Sequence, residues 1–92
     1  MIDMQEFVAQ LGKHGIAAVE VHEATSATDA EIVLPPHPDG RALSIQIWMD
    51  GQTASLNVYS GEGDDVEMQT VMTSVEPYVI TVALTIIYGT AS

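Results

Sequence analysis

Residues 43–59 read LSIQIWMDGQTASLNVY and predict one β-hairpin. Asp50 and Gly51 are the turn signal, because a two-residue type I′ loop needs positive φ at both positions and glycine adopts it without steric cost. With these two residues at the tip, the strands pair outward as far as Leu43 with Val58. A slip of one residue would mix the two faces, so the register is strongly specified.

The predicted hairpin has one apolar face and one polar face. The apolar face consists of Leu43, Ile45, Ile47, Met49, Ala54, Leu56 and Val58, with Gln52 beside the turn. The polar face carries Ser44, Gln46, Thr53, Ser55 and Asn57, together with the aromatic Trp48 and Tyr59. The apolar face needs helices to cover it. On the polar face, either a further helix buries both aromatic rings, or Trp48 is exposed and anchors an interface, as tryptophan often does.

Three more elements are predicted before the hairpin. Residues 3–13 form a helix that Asp3 can cap and that Gly12 or Gly15 can end. Its apolar face has the i, i+3, i+4, i+7 spacing, at Met4, Phe7, Val8 and Leu11. Residues 16–22 and 31–34 are expected strands, with apolar faces formed by Ala17, Val19 and Val21 and by Ile32 and Leu34. Three prolines in residues 35–40 predict a stiff turn that leads into the hairpin.

Two helical segments are predicted after the hairpin. Asp64 can cap the first, whose helical spacing continues at Met68, Val71, Met72 and Val75. Residues 78–88 fit either a helix that starts near Ser74 and Pro77 or a fifth strand, which their β-branched composition favours. We favour the helix, because this segment is long for a strand.

The fold expected for residues 1–92 is a single α+β domain. It has an N-terminal helix, a four-stranded antiparallel meander with the Asp50–Gly51 hairpin at its centre, and C-terminal helical segments packed on one sheet face. Zero cysteines exclude disulfides and thiol chemistry. The N-terminus has no signal-peptide pattern, and the longest apolar stretch is too short to span a bilayer. We therefore expect a cytoplasmic protein.

The charge balance is strongly acidic. The chain has thirteen acidic residues and only two basic ones, Lys13 and Arg41, which gives a net charge of −11. Charged residues make up 16% of the chain, below the usual value of about 25%, so the imbalance reflects scarce bases. Such a field repels nucleic acid and anionic membranes and favours a basic protein surface. Solubility and adaptation to high salt are equally compatible with it.

No catalytic or metal-binding set is recognisable. His14, His22 and His37 have acidic neighbours, but their spacing fits no compact metal site. The chain has no glycine-rich phosphate loop and no nucleophile elbow, and acids flank the glycine pair Gly61 and Gly63. We therefore expect neither an enzyme nor a cofactor.

The candidate partner-binding residues are the two aromatic residues and an acidic cluster, namely Trp48, Tyr59, Glu62, Asp64, Asp65 and Glu67. The cluster is either a solvated loop and helix start or a docking surface that imitates a nucleic-acid backbone. We expect a non-enzymatic protein that binds a basic partner surface, in the manner of a phage or viral inhibitor. The alternatives are an assembly subunit that forms a homo-oligomer through Trp48 and a free sheet edge, and a small enzyme or ligand-binding module.

Overall fold

The computed structural model describes residues 1–89, which form two helices and one antiparallel sheet. The elements are α1 (Met4–Lys13), β1 (Glu20–His22), β2 (Ala30–Val33), β3 (Ala42–Ile47), β4 (Ala54–Ser60), a short 3₁₀ turn (Gly63–Asp65), β5 (Glu67–Ser74) and α2 (Pro77–Gly89). The strands lie side by side in chain order, each antiparallel to the next. The α+β class is confirmed, but the sheet has five strands and the prediction of four was wrong.

The hairpin register predicted from the sequence is confirmed. β3 and β4 pair from Ala42 with Tyr59 to Ile47 with Ala54. Alternation then directs one side-chain set of each strand toward the helices and the other set away from them.

The turn at the hairpin tip is wider than predicted. The Trp48 N–H donates to the Thr53 carbonyl over 2.8 Å, and four residues lie between these two. Gly51 has a φ of 70°, but Asp50 keeps a negative φ, so the predicted type I′ loop was wrong. The reason is the Asp50 carboxylate, which accepts the backbone N–H groups of Gln52 and Thr53 at 2.9 and 3.0 Å. This Asx-type turn replaces the two-residue loop.

Both helices cover the same face of the sheet and enclose the core. The buried apolar residues are Phe7, Leu11, Ile16, Ala30, Ile32, Leu34, Leu43, Ile45, Ile47, Ala54, Leu56, Val58, Ile80 and Leu84. Asp3 caps α1 as predicted, because its Oδ1 accepts the N–H groups of Gln5 and Glu6 at 2.9 and 3.2 Å. The predicted apolar face of the hairpin is therefore the floor of the core, except at Met49, whose predicted place on this face was wrong because it lies in the turn and is 61% exposed.

The end of α1 determines where β1 begins. The Ile16 N–H donates to the Leu11 carbonyl and the Gly15 N–H to the Gly12 carbonyl, with Gly15 at a φ of 80°. This is a Schellman motif, which uses a buried apolar residue just after the glycine. Ile16 is that residue, so it belongs to the helix end and not to a strand.

The strand predicted for residues 16–22 is consequently shorter than expected. β1 contains only Glu20, Val21 and His22. Its predicted apolar face was wrong, because Ala17, Val19 and Val21 are exposed whereas Ile16 is buried. The inward positions predicted for β2, Ile32 and Leu34, are both buried.

β5 replaces the helix predicted after Asp64. Its residues pair with β4 from Ser60 with Glu67 to Ala54 with Ser74, with an irregularity opposite Leu56 and Asn57. The helical spacing of its apolar residues was misleading, because a segment rich in threonine and valine also suits a strand. Pairing along an exposed edge of β4 outweighed the local pattern.

α2 confirms the helix favoured for residues 78–88. Its β-branched composition is offset by tertiary packing, because Ile80 and Leu84 are completely buried. Its threonine hydroxyls bond to the preceding turn, with Thr81 donating to the Pro77 carbonyl at 3.1 Å and Thr85 to the Val82 carbonyl at 2.7 Å. The helix begins at Pro77, and the Ser74 hydroxyl accepts the Glu76 N–H at 3.0 Å just before it.

The C-terminal end of α2 is held by the turn that follows β2. The Tyr88 hydroxyl donates to the Pro35 carbonyl at 2.6 Å, and burial raises the pKa of Tyr88 to about 12. The His37 side chain is buried, and its Nε2 lies 3.2 Å from the Ile87 carbonyl. These contacts join residues about fifty positions apart.

Two alanine substitutions in α2 separate the helix from the strand alternative. A strand would place Ile80 and Ile86 on one face, whereas the helix buries Ile80 completely and leaves Ile86 62% exposed. Ile80→Ala should lower the free energy of unfolding by about 2–5 kcal/mol. Ile86→Ala should change it by no more than about 0.5 kcal/mol. Denaturant unfolding of dilute protein measures both, and equal losses would contradict the helix.

The pH dependence of an Asp50→Asn variant tests the turn. The backbone N–H groups of Gln52 and Thr53 lower the pKa of Asp50 below its usual 3.8. The charged carboxylate therefore stabilises the fold above that pH, and this contribution disappears as the pH falls through the lower folded-state pKa. Wild type should be more stable than D50N at neutral pH, and thermal unfolding should show the difference closing on acidification.

The matched control for this measurement is Asp64→Asn, which removes the same charge from an exposed carboxyl group. Because Asp64 lies outside the hairpin tip, this variant leaves the Asp50 turn intact. Identical pH profiles for the two variants would mean that net charge, and not the turn, causes the effect.

Candidate binding surface

The outer face of the sheet, the side turned away from both helices, is uncovered by any helix within residues 1–89. Paired residues share a face, so the register identifies its members as Glu20, His22, Glu31, Val33, Ala42, Ser44, Gln46, Ser55, Asn57, Tyr59, Met68, Thr70 and Thr73. Its centre is nevertheless closed, because Ser44, Ser55 and Asn57 are each less than 5% exposed. The predicted polar face of the hairpin thus has a buried polar centre and no helix over it.

A chain of side-chain hydrogen bonds crosses this face. The Thr70 hydroxyl on β5 donates to the side-chain Oδ1 of Asn57 at 2.9 Å. The Asn57 Nδ2 in turn lies 3.4 Å from the Gln46 Oε1. Gln46 in turn donates to the Asp29 carboxylate at 2.5 Å. The network links β5, β4 and β3 to the loop that precedes β2, and it therefore holds this loop against the sheet.

The Ser44 hydroxyl is the exception to this pattern. Its Oγ is buried and has no hydrogen-bond partner within the described part of the chain. Leaving a buried hydroxyl unpaired costs about 1–3 kcal/mol.

An open groove of about 1030 Å³ lies beside the network. Its floor contains Gln46 and Glu31, and its walls are the loop of residues 23–29 on one side and Tyr59 on the other. Three carboxylates line it, from Glu23, Asp29 and Glu31, together with the imidazole of His22, whereas neither Lys13 nor Arg41 does. The groove therefore has a negative field, which attracts cationic groups.

The scarce positive charge of the chain lies elsewhere. The Arg41 Nε donates to the Asp39 Oδ2 at 2.8 Å. The backbone N–H of Arg41, together with its guanidinium, lowers the pKa of Asp39. Lys13 stands in the last turn of α1, in the helix layer. Neither cation compensates the groove carboxylates by direct contact.

Trp48 is neither fully buried nor free. Its indole is 44% exposed, and its Nε1 donates to the Ser55 Oγ at 2.6 Å. It also borders a cavity of about 420 Å³, lined mainly by apolar groups, that includes Met1, Ile2 and Glu23. The indole therefore covers the polar centre of the outer face while presenting part of its ring to solvent.

The predicted acidic cluster lies on the connection between β4 and β5. Glu62, Asp64, Asp65 and Glu67 are all exposed, but they lead into a 3₁₀ turn and a strand, so their predicted place at a helix start was wrong. Gly61 shapes this connection with a φ of 100°, and a Cβ there would lie 2.2 Å from the Asp65 carbonyl oxygen.

The predicted binding residues divide between two ends of the sheet. Tyr59 pairs with Met68 next to Glu67, so it adjoins the acidic cluster. Trp48 lies at the opposite end, near the loop of residues 23–29. Sequence reasoning missed the groove carboxylates, because no local pattern brings that loop to Gln46. The alternation of the hairpin, which already placed Gln46 on the polar face, was the available signal.

Comparisons with family models, curated proteins and solved structures gave no match to this chain. Within residues 1–89, no three histidine or acidic side chains are placed so that they could hold a metal ion. Neither helix in this part of the chain has the length and apolar character needed to cross a membrane.

A Gly61→Ala substitution tests the connection that carries the acidic cluster. Gly40 is the matched control, because its φ of 99° is within one degree of that of Gly61 while the space beside it is open. Both variants should suffer from the unfavourable backbone conformation, but only Gly61→Ala collides with the Asp65 carbonyl. Its loss of unfolding free energy in denaturant should exceed that of Gly40→Ala by roughly 1–3 kcal/mol. Equal losses would mean that the connection can shift freely.

Proposed function

We propose that this protein is a non-enzymatic binding protein whose outer face engages a basic surface on a protein partner. The observation that supports it best is the groove at Gln46, which has three carboxylates, one aromatic wall and no lysine or arginine. A lysine or arginine side chain entering it would meet oxygen acceptors from Glu23, Asp29 and Glu31. Charge-assisted hydrogen bonds of that kind are stronger than neutral ones.

The acidic cluster extends this surface along the partner. Tyr59 separates the groove from the connection that carries Glu62, Asp64 and Asp65, so acids flank both sides of one aromatic ring. Long-range attraction from such a field accelerates encounter with a basic partner more than it strengthens the final complex. Spaced carboxylates of this kind also suit a surface that otherwise binds phosphates. The protein would then act as an inhibitor that imitates nucleic acid.

Half-exposed aromatic rings supply the apolar part of the surface. Trp48 and Tyr59 are both incompletely buried and lie at different ends of the outer face. Tryptophan and tyrosine are among the side chains that contribute most to binding energy at interfaces. We therefore place the anchoring contacts at these two rings and the steering contacts at the carboxylates.

Charge reversal on the outer face is the direct test. A Glu23→Lys/Glu31→Lys variant and a Glu62→Lys/Asp64→Lys/Asp65→Lys variant should each lose the proteins that the wild-type chain captures from a lysate of its own source. Mass spectrometry compares the captured sets. Binding of the captured partner should weaken steeply when NaCl rises from about 0.1 M to about 1 M, because the Debye length falls from about 10 to about 3 Å.

A Glu6→Lys/Glu76→Lys variant is the matched control, because it changes net charge as much as the groove variant does. Glu6 belongs to α1 and Glu76 precedes α2, so both lie in the helix layer. This control should retain the partner. Loss of binding in all variants alike, or a partner affinity that does not respond to salt, would contradict the proposal.

A further inference from the structure

The C-terminal part of the chain is almost free of charge. From Met68 to Gly89, Glu76 is the only charged residue, although the whole chain has a net charge of −11. This segment comprises nearly all of β5 and the whole of α2. One side of a strongly acidic molecule is therefore electrically neutral.

The solvent-facing side of α2 is apolar. Its exposed side chains are Tyr78, Val79, Val82 and Ile86, with exposed fractions between 37% and 62%. A surface helix normally has polar or charged residues on this side, and a helix that is apolar all round is normally buried. The part of the structure described here provides no second layer over this face.

β5 adds an unpaired strand edge to the same side. It is the last strand of the sheet and pairs only with β4, so eight residues have backbone groups without a strand neighbour on their outer side. Met68 and Val71 are exposed on it, as is Val75 directly after it. Lysine and proline, two residues that commonly protect such edges, are absent from the strand.

The apolar helix face and the strand edge adjoin. α2 packs against β5, whereas Thr85 and Tyr88 share a cavity with His14 and Pro35 on the side of α1 and β2. Successive residues lie 100° apart around the helix, so Val79 and Ile86 lie roughly opposite Tyr88 and point away from the side of α1 and β2. We call residues 68–74 of β5, together with Val79, Val82 and Ile86, the neutral edge.

We infer that the neutral edge binds a second copy of this chain. In the resulting two-fold dimer, β5 pairs antiparallel with the partner's β5 and the two α2 helices pack against each other. An antiparallel edge can pair with itself about a two-fold axis, which makes the contact self-complementary. The two five-stranded sheets then continue into one, and the unpaired backbone groups of both edges are satisfied.

Charge selects a second copy over the basic partner of the proposed function. A basic surface gains nothing from the neutral edge, because the carboxylates that would attract it lie on the outer face and its flanking loops. Two copies that each have a charge of −11 repel one another least when they meet through the side with the fewest acids, where only Glu67 and Glu76 lie close to the contact. The neutral edge is also apolar, so its burial removes apolar surface from water on both chains.

Sedimentation equilibrium of the full chain tests this inference. The wild type should show a monomer–dimer equilibrium, and Ile86→Lys should weaken it by at least about tenfold, because the interface would then bury one lysine from each copy. The control is Val19→Lys, which changes net charge equally at a residue 60% exposed near β1. Val19→Lys should leave the dimer intact or strengthen it slightly, because repulsion decreases.

Two further measurements locate the contact and separate it from the proposed function. Amide hydrogen exchange in β5 should slow as protein concentration rises, whereas exchange in β1 should not change. Salt should strengthen the dimer by screening repulsion, the opposite of its effect on binding to a basic partner.

Three outcomes would overturn the inference, and none of them bears on binding at the outer face. They are a monomer at every concentration, a dimer that Ile86→Lys leaves unchanged, and a dimer whose β5 amides exchange at the monomer rate. Circular dichroism confirms that each variant is folded before its assembly is measured.

Discussion

The pairing of β3 with β4 is the constraint on which the rest of the structure depends. Because side chains alternate, this one register divides the hairpin into a core face and an outer face. Ile45 and Leu56 lie opposite each other at the centre of the core, and both helices pack on that side. The polar residues of the same two strands are placed on the other side, where they organise the groove. The register of β3 and β4 therefore determines both the core and the candidate binding surface.

The polar side chains at the centre of the outer face are buried. Asn57 is 2% exposed, and its side-chain amide forms hydrogen bonds with Thr70 of β5 and Gln46 of β3. A buried polar group of this kind favours one specific arrangement over alternatives that would leave it unpaired. Rigidity at the floor of the groove suits a surface that must present carboxylates at constant positions, because less ordering is then required on binding.

The features that could be predicted from the sequence depend on residues close together in the chain. The hairpin register, the Asp3 cap and the helix over residues 78–88 follow from alternation, capping residues and turn residues close in the chain. β5 was missed because Met68, Val71 and Met72 have helical spacing and do not alternate, since the register shift in β5 places Met68 on the outer face and Met72 opposite Leu56. The choice of a strand depended on an edge of β4 that no local pattern reveals. For the candidate site, the polar face and Trp48 were predicted, whereas the groove required a loop to fold back onto Gln46. The turn at Asp50 was predicted wrongly because the Asp50 carboxylate accepts backbone N–H groups itself. The positive φ at two successive residues that a type I′ turn requires is then not needed.

The contacts that hold the end of α2 have a consequence for the order of folding. The sheet is built entirely from neighbouring strands, whose pairing closes only short loops. Tyr88 and His37, by contrast, join α2 to residues about fifty positions earlier. Ordering a long loop costs more entropy before any contact compensates it, so such contacts form late. The meander can therefore assemble while α2 is still undocked, and Ile45 and Leu56 then lie in an incompletely covered floor. During that interval the apolar side of the sheet is the part of the chain most exposed to aggregation.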